Sequence, residues 1–219
     1  DHDIPFFGSR VRPAARLSFS WAHSESHVPG RHLNALLAAE DALGLVIDED
    51  AVAKHAQAVR FSYSGPVALP LNRQELGGPL VNFLPHNVRE GFHALYALTR
   101  FRQREWAEAL ARASIDVIND YWDSTQGWDA ARLATQGVKL IDSTFIVGLA
   151  RTLGPLVKFY RATGYAPALT LALRLKAKLL NEFFTADGAY NRESFGTHTH
   201  STTCVMSSLA QLAELTQDA

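Results

Sequence analysis

Cysteine is nearly missing from this chain of 219 residues: Cys204 is its one thiol, and Met206 its one methionine. A single cysteine excludes an intrachain disulfide, so no redox compartment follows from it. Its apolar helical surroundings make it a small core residue. The chain also lacks an excess of either charge. Its 21 Lys and Arg balance 22 Asp and Glu, for a formal net charge of -1. That excludes the basic surface that nucleic acid or an anionic membrane would require. No apolar run reaches the roughly 18 residues of a membrane span. Period-two alternation is missing too: residues 67–71 come nearest, but they are few, contain Pro70 and read as loop. No leader is visible, and because the chain starts at Asp1 rather than Met, the compartment is not readable from its beginning.

What is present is an ordinary globular composition, 47% hydrophobic and 20% charged, with length for one domain spanning 1–219 and a real core. Two kinds of helical segment alternate. One kind is amphipathic. Apolar residues recur at Trp106, Leu110, Ala113, Val117 and Tyr121, and again at Leu169, Ala172, Leu175, Leu179 and Phe183. These steps of three and four trace one buried stripe. Residues 51–61 are a weaker case. The other kind is small or apolar nearly all round: residues 33–43, 91–98, 145–153 and 204–212. Such helices belong among other helices. Pro155, in the continuation of the third of them, predicts a kink.

The order buried, exposed, buried, exposed predicts an all-α fold of about seven helices in which an inner ring is wrapped by outer partners: an α/α-hairpin toroid. Gly44 and the turn at 163–167 supply the stop and start signals. A weak repeat of about 50–60 residues fits a hairpin array. The last residues resemble 161–166, where the chain turns into an outer helix, yet here the sequence ends at Ala219. The expectation is a ring cut short, whose apolar edge a second chain or a missing C-terminal segment would complete.

The polar residues gather just before the inner helices. His23, Glu25, His27, Arg31 and His32 precede the first. Asn82, His86, Asn87, Arg89 and Glu90 precede the second. Lys139, Asp142, Ser143 and Thr144 precede the third, and Tyr190, Glu193, His198, His200 and Ser201 the fourth. In a ring of parallel inner helices these clusters meet at one mouth. Each also has a plain structural explanation: Asn87, Asp142, Ser143 and Ser201 suit N-caps, and His93, deeper in its helix, reads as a satisfied core histidine.

Glycoside cleavage needs a carboxylic acid and a second carboxylate. Glu90, Asp142 and Glu193 are the catalytic candidates, with Glu25 also available. Trp21, Phe83, Trp122, Trp128 and Tyr190 are candidate platforms for sugar rings. Lyase or epimerase chemistry would instead use His or Tyr as base, with Arg or Asn facing a substrate carboxylate. His27, His86, Asn87, Arg89, Tyr190, His198 and His200 are the substrate-binding candidates for either. No metal site is assigned. The His198–His200 pair and the i, i+4 pair His23 and His27 each offer two zinc ligands, but neither pair has a third. A helical-repeat scaffold that binds a peptide on its concave face is the non-enzymatic alternative.

The segment from Gly196 through His198, Thr199, His200, Ser201 and Cys204, with Leu209 to Leu212 after it, resembles the corresponding helix start of bacterial β-L-arabinofuranosidase-like proteins, a six-hairpin glycosidase group. Val157 to Gly164 is similar to that group's turn into an outer helix. The resemblance covers residues 142–219. It implies an (α/α)6 barrel, a glycoside hydrolase acting on a carbohydrate, and substrate contact by His198 or His200. The zinc-bound cysteine nucleophile that the group implies finds no support, because it needs further cysteines that this chain does not have.

Overall fold

A computed structural model of the chain describes residues 19–142 and 144–218. Ser143, one of the N-cap candidates, and Ala219, where the ring was expected to stop, lie outside the described residues. The fold is all-α. Seven long helices carry it: α1 (His27–Leu43), α2 (Glu49–Ser62), α3 (His86–Arg102), α4 (Glu105–Tyr121), α6 (Leu153–Thr163), α7 (Ala166–Phe183) and α9 (Thr199–Thr216). Two short ones, α5 (Ala130–Thr135) and α8 (Arg192–Phe195), lie in the connections. No helix among the described residues is long and apolar enough to cross a membrane.

Local chemistry accounts for the helix ends. Asp48 caps α2 by accepting from the backbone N–H of Asp50, and Glu49 and Asp50 fill its positive first turn. Gly44 and Gly164 close α1 and α6 in the left-handed conformation. Pro167 opens α7, where a missing N–H costs nothing.

The helices alternate as the pattern predicts. α3 packs on α1 and α6, and α6 packs on α9, so these four form an inner set. α2 lies against α1, α4 against α3, and α7 against α6 and α4. One continuous core runs through them, from Leu33 and Leu37 on α1 to Val205 and Leu212 on α9. Each fully buried Leu or Phe there contributes roughly 1.5–3 kcal/mol.

Several details correct the sequence reading. The buried face of α4 is Ala107, Ala111, Ser114, Ile115 and Ile118. The expected stripe is turned by about one position: Trp106, Leu110, Val117 and Tyr121 flank the core and Ala113 is exposed. α1 and α9 are not buried all round. Among residues 33–43 only Leu33 and Leu37 are buried, since these two helices stand at the ends of the inner set and have fewer neighbours. Pro155 makes no kink. α6 starts at Leu153, and residues 145–152 before it are turn and a 3-10 segment, so the proline sits in the first turn, where no N–H is needed.

Short strands also exist. β1 (Leu71–Arg73) pairs antiparallel with β2 (Leu80–Phe83), and β2 pairs parallel with β5 (Lys139–Leu140). β3 (Trp122–Asp123) pairs with β4 (Gly127–Trp128) in a tight hairpin. Strands of two to four residues are too short to show a period. Of residues 67–71, expected as loop, 67–70 are loop, whereas Leu71 begins β1.

Candidate functional site

The inner helices run parallel. His27 meets Asn87 and Arg31 meets Glu90, so α1 and α3 rise together. Arg151 meets Glu90, and Lys158, two turns on, lies over the ring of Tyr96, so α6 rises with α3. Gly154 faces Ser208 and Arg161 bonds Glu214, so α9 follows α6. Gly30 lets α1 and α3 touch: a Cβ there would lie 2.0 Å from the Glu90 carbonyl oxygen.

A cleft of about 380 Å³ opens between these four helices. Asn34 lines it from α1, Arg89 and His93 from α3, Lys158 from α6, and His200, Cys204 and Gln211 from α9. Cys204 is half-buried, its sulfur 3.7 Å from the His200 ring, so it belongs to the cleft wall rather than the core.

Glu90 anchors the N-terminal end of the cleft. Its side chain is fully buried. Its Oε1 accepts from Arg89 Nη1 at 2.8 Å, Arg151 Nη2 at 3.0 Å and Arg31 Nε and Nη2 at 3.2 Å. Burial alone would raise its pKa. The neighbouring His27 when protonated, and the guanidiniums of Arg151, Arg89 and Arg31 at every ordinary pH, outweigh burial and hold it at about 2. At neutral pH Glu90 is an ionised organiser of arginines with no proton to donate. Arg31 also donates to His200 Nε2 at 3.0 Å. A guanidinium only donates, so this imidazole is neutral, with its proton on Nδ1. Burial, with Arg151 and Arg31 beside it, lowers its pKa.

A second group of side chains lies at the same end. The rings of His23, His27 and His86 pack with centroids 4.7, 5.3 and 5.5 Å apart. Asn87 Nδ2 donates to the Ala22 carbonyl at 3.0 Å, which turns its Oδ1 toward His27 Nδ1, also at 3.0 Å. Burial pushes His27 down to about 3 and His86 to about 4. His93 falls to about 3, first through burial and then through Arg89 and Lys158. Its Nδ1 is buried without a hydrogen-bond partner. It is thus a cleft residue, not the satisfied core histidine its apolar helix predicts.

The predicted residues divide accordingly. Glu90, Arg89, Asn87, His27, His86 and His200 meet at one end of the inner helices, drawn from three of the four polar clusters. Asp142 from the remaining cluster is exposed and accepts from the Thr144 backbone and hydroxyl, a local turn contact and not the expected N-cap, since no helix starts there, though its charge is felt at His86. Glu193 is exposed in the first turn of α8, which Asn191 caps. His198 caps α9, accepting from the Ser201 N–H, and Tyr190 packs on Phe195. Neither His198, Tyr190, Asp142 nor Glu193 lines the cleft. Glu25 is buried against Arg73 at 2.9 Å. Of the aromatic platforms, Phe83, Trp122 and Trp128 are buried in the core, which removes their faces from a sugar. Trp21 and Tyr190 are exposed.

Arg151 and Lys158 were missed. They sit inside stretches that read as buried helix, and a charge there looks like an outer-face residue until its partner 61 residues away is known. Comparisons with protein families, curated proteins and solved structures give no match.

Proposed function

We propose that the chain is a carbohydrate-active enzyme whose inner-helix cleft holds an acidic sugar, on a hairpin toroid of which these helices form part. The observation that carries this is the charge of the cleft. Arg31, Arg89 and Arg151 surround the one carboxylate of Glu90, Arg89 and Lys158 line the cleft itself, and among the described residues no carboxylate lines it. Such a site has donors for a substrate carboxylate and neutral imidazoles for proton transfer beside it. It has no pair of carboxyl groups facing each other across a sugar. Lyase or epimerase chemistry on a uronate fits this better than hydrolysis. Sugar as the ligand class rests on the resemblance of residues 142–219 to six-hairpin glycosidases.

Hydrolysis stays as the second reading because of one charge. Asp142 lies near enough to His86 for its carboxylate to act there. The experiment is calorimetric titration of the intact chain with glucuronate, galacturonate and their neutral parent sugars. A uronate should bind at least about tenfold more tightly than its neutral parent, the worth of one charge-assisted contact. Equal binding, or none, overturns the acidic-sugar reading. Oligo-uronides then separate the chemistries: an unsaturated product marks elimination, and new reducing ends without unsaturation mark hydrolysis.

A further inference from the structure

We propose that His23, His27 and His86 form a three-histidine site for a zinc-type divalent cation at the common N-terminal end of α1 and α3. One ring nitrogen from each lies within 4.8 Å of the other two. A tetrahedral zinc with Zn–N bonds of 2.0–2.1 Å holds its nitrogens about 3.3 Å apart. Closing that gap takes small side-chain rotations. The pair His23 and His27, four residues apart, was a half-site in the sequence. The fold brings the third histidine from 59 residues further on.

Two further observations fit a metal. First, Asn87 fixes the His27 tautomer. With Oδ1 turned to Nδ1, that nitrogen carries the proton and the lone pair is on Nε2, the outer-sphere arrangement that metal-bound histidines use. Ser20 Oγ stands 3.2 Å from His23 Nδ1 in a similar place. Second, His86 Nε2 is buried and has no hydrogen-bond partner, a cost that a metal bond would remove. Three imidazoles suit Zn, Co, Ni or Cu, not Mg or Ca, and three protein ligands leave a fourth position open.

The charges nearby shape the site. Arg31 disfavours a cation at His23 and His27, whereas Glu90 favours one at all three rings. With the guanidiniums of Arg89 and Arg151 close by, the surroundings are positive on balance. The site is therefore weaker than a closed structural zinc site, and its open position favours an anion. The competing account is that three neutral rings simply pack edge to face.

The test needs no sugar, so its outcome is separate from that of the acidic-sugar reading. The intact chain is stripped with chelator and titrated with Co²⁺, then Zn²⁺. We expect one ion per chain, the visible bands of tetrahedral Co²⁺, and their loss on adding Zn²⁺. His27→Ala and His86→Ala should each weaken binding at least about 100-fold, and Asn87→Ala about 10–100-fold. His32→Ala should change nothing, although His32 Nδ1 and His55 Nε2 stand 2.9 Å apart on the surface. If the alanine variants fail to fold, ring-nitrogen NMR of the unaltered chain decides: Zn²⁺ should move the His23, His27 and His86 signals together. No saturable binding by the unaltered chain, or binding that depends on His32 and His55 instead, overturns the proposal.

Discussion

At the scale of single residues, acid is the clearest lever. In the folded chain His27 and His93 titrate near 3 and His86 near 4, against 6.5 when exposed to water. Below pH 6.5 the unfolded chain takes up protons that the folded chain refuses, so stability falls with pH. Glu90 acts in the same direction lower down. Its carboxylate is ionised in the fold to about 2 against 4.5 unfolded, so its contribution is whole above 4.5 and is lost as pH falls toward 2. Urea unfolding followed from pH 7 to pH 4.5 should show a slope approaching three protons from these imidazoles, about 4 kcal/mol per pH unit, to which His23, His32 and His200, also lowered by burial, add in the same direction. His93→Gln should remove about one proton from that slope. A midpoint flat across this range would refute the neutral-imidazole account. Glu90→Gln tests the arginine cluster directly. It leaves Arg151, almost fully buried, beside other cations with no counter-charge. Removing one partner of a buried pair costs about 3–5 kcal/mol, readable as a shifted denaturant midpoint at pH 7.

At the scale of elements, two glycines separate close approach from backbone conformation. Gly30 has no room for a Cβ, which would lie 2.0 Å from the Glu90 carbonyl oxygen. Since that obstacle is backbone, Gly30→Ala has to push α1 off α3. The cost should be at the upper end of overpacking, about 3 kcal/mol, and Glu90 should move with it, so ligand affinity falls too. Gly44 has open space around it but φ of 64°, and Gly44→Ala should cost only about 1 kcal/mol with the cleft untouched. Thermal unfolding and titration of both variants would distinguish the two effects. The same scale explains what sequence pattern could carry. The order of the long helices and the stops at Gly44 and Gly164 were legible, because glycines and three-four spacing are local. The rotation of α4 by about one position was not, because which face is buried depends on how closely α3 and α7 approach. The start of α6 was not either: Gly148, Leu149 and Pro155 read as apolar helix, and only tertiary packing selects a 3-10 turn before Leu153.

At the scale of the whole molecule, the parallel inner helices are what make a site of residues far apart in sequence. Their level starts were predictable from alternation alone, so Glu90, Arg89, Asn87, His27, His86 and His200 could be named together. The parts played by Arg151, Lys158 and His93 could not, because what a charge or imidazole faces inside a packed segment is fixed by its neighbour's rotation. Lys158, with Arg89, gives the cleft its sign. Lys158 is half-buried on α6, and its pKa is lowered by burial and by Arg89. Two cations on facing helices with no carboxylate between them repel when the cleft holds only water, and an anion relieves that repulsion. Lys158→Met keeps the length of the side chain and removes its charge. It should therefore leave the unliganded chain as stable as before, or slightly more so, while weakening uronate binding about tenfold or more. Because the site is sheltered between helices, raising salt should weaken binding less than it would at an exposed lysine. Calorimetry of both forms at low and high salt reads all three quantities. If Lys158→Met destabilises the chain and leaves uronate affinity unchanged, Lys158 serves the packing over Tyr96, and the anion is held at the arginines alone.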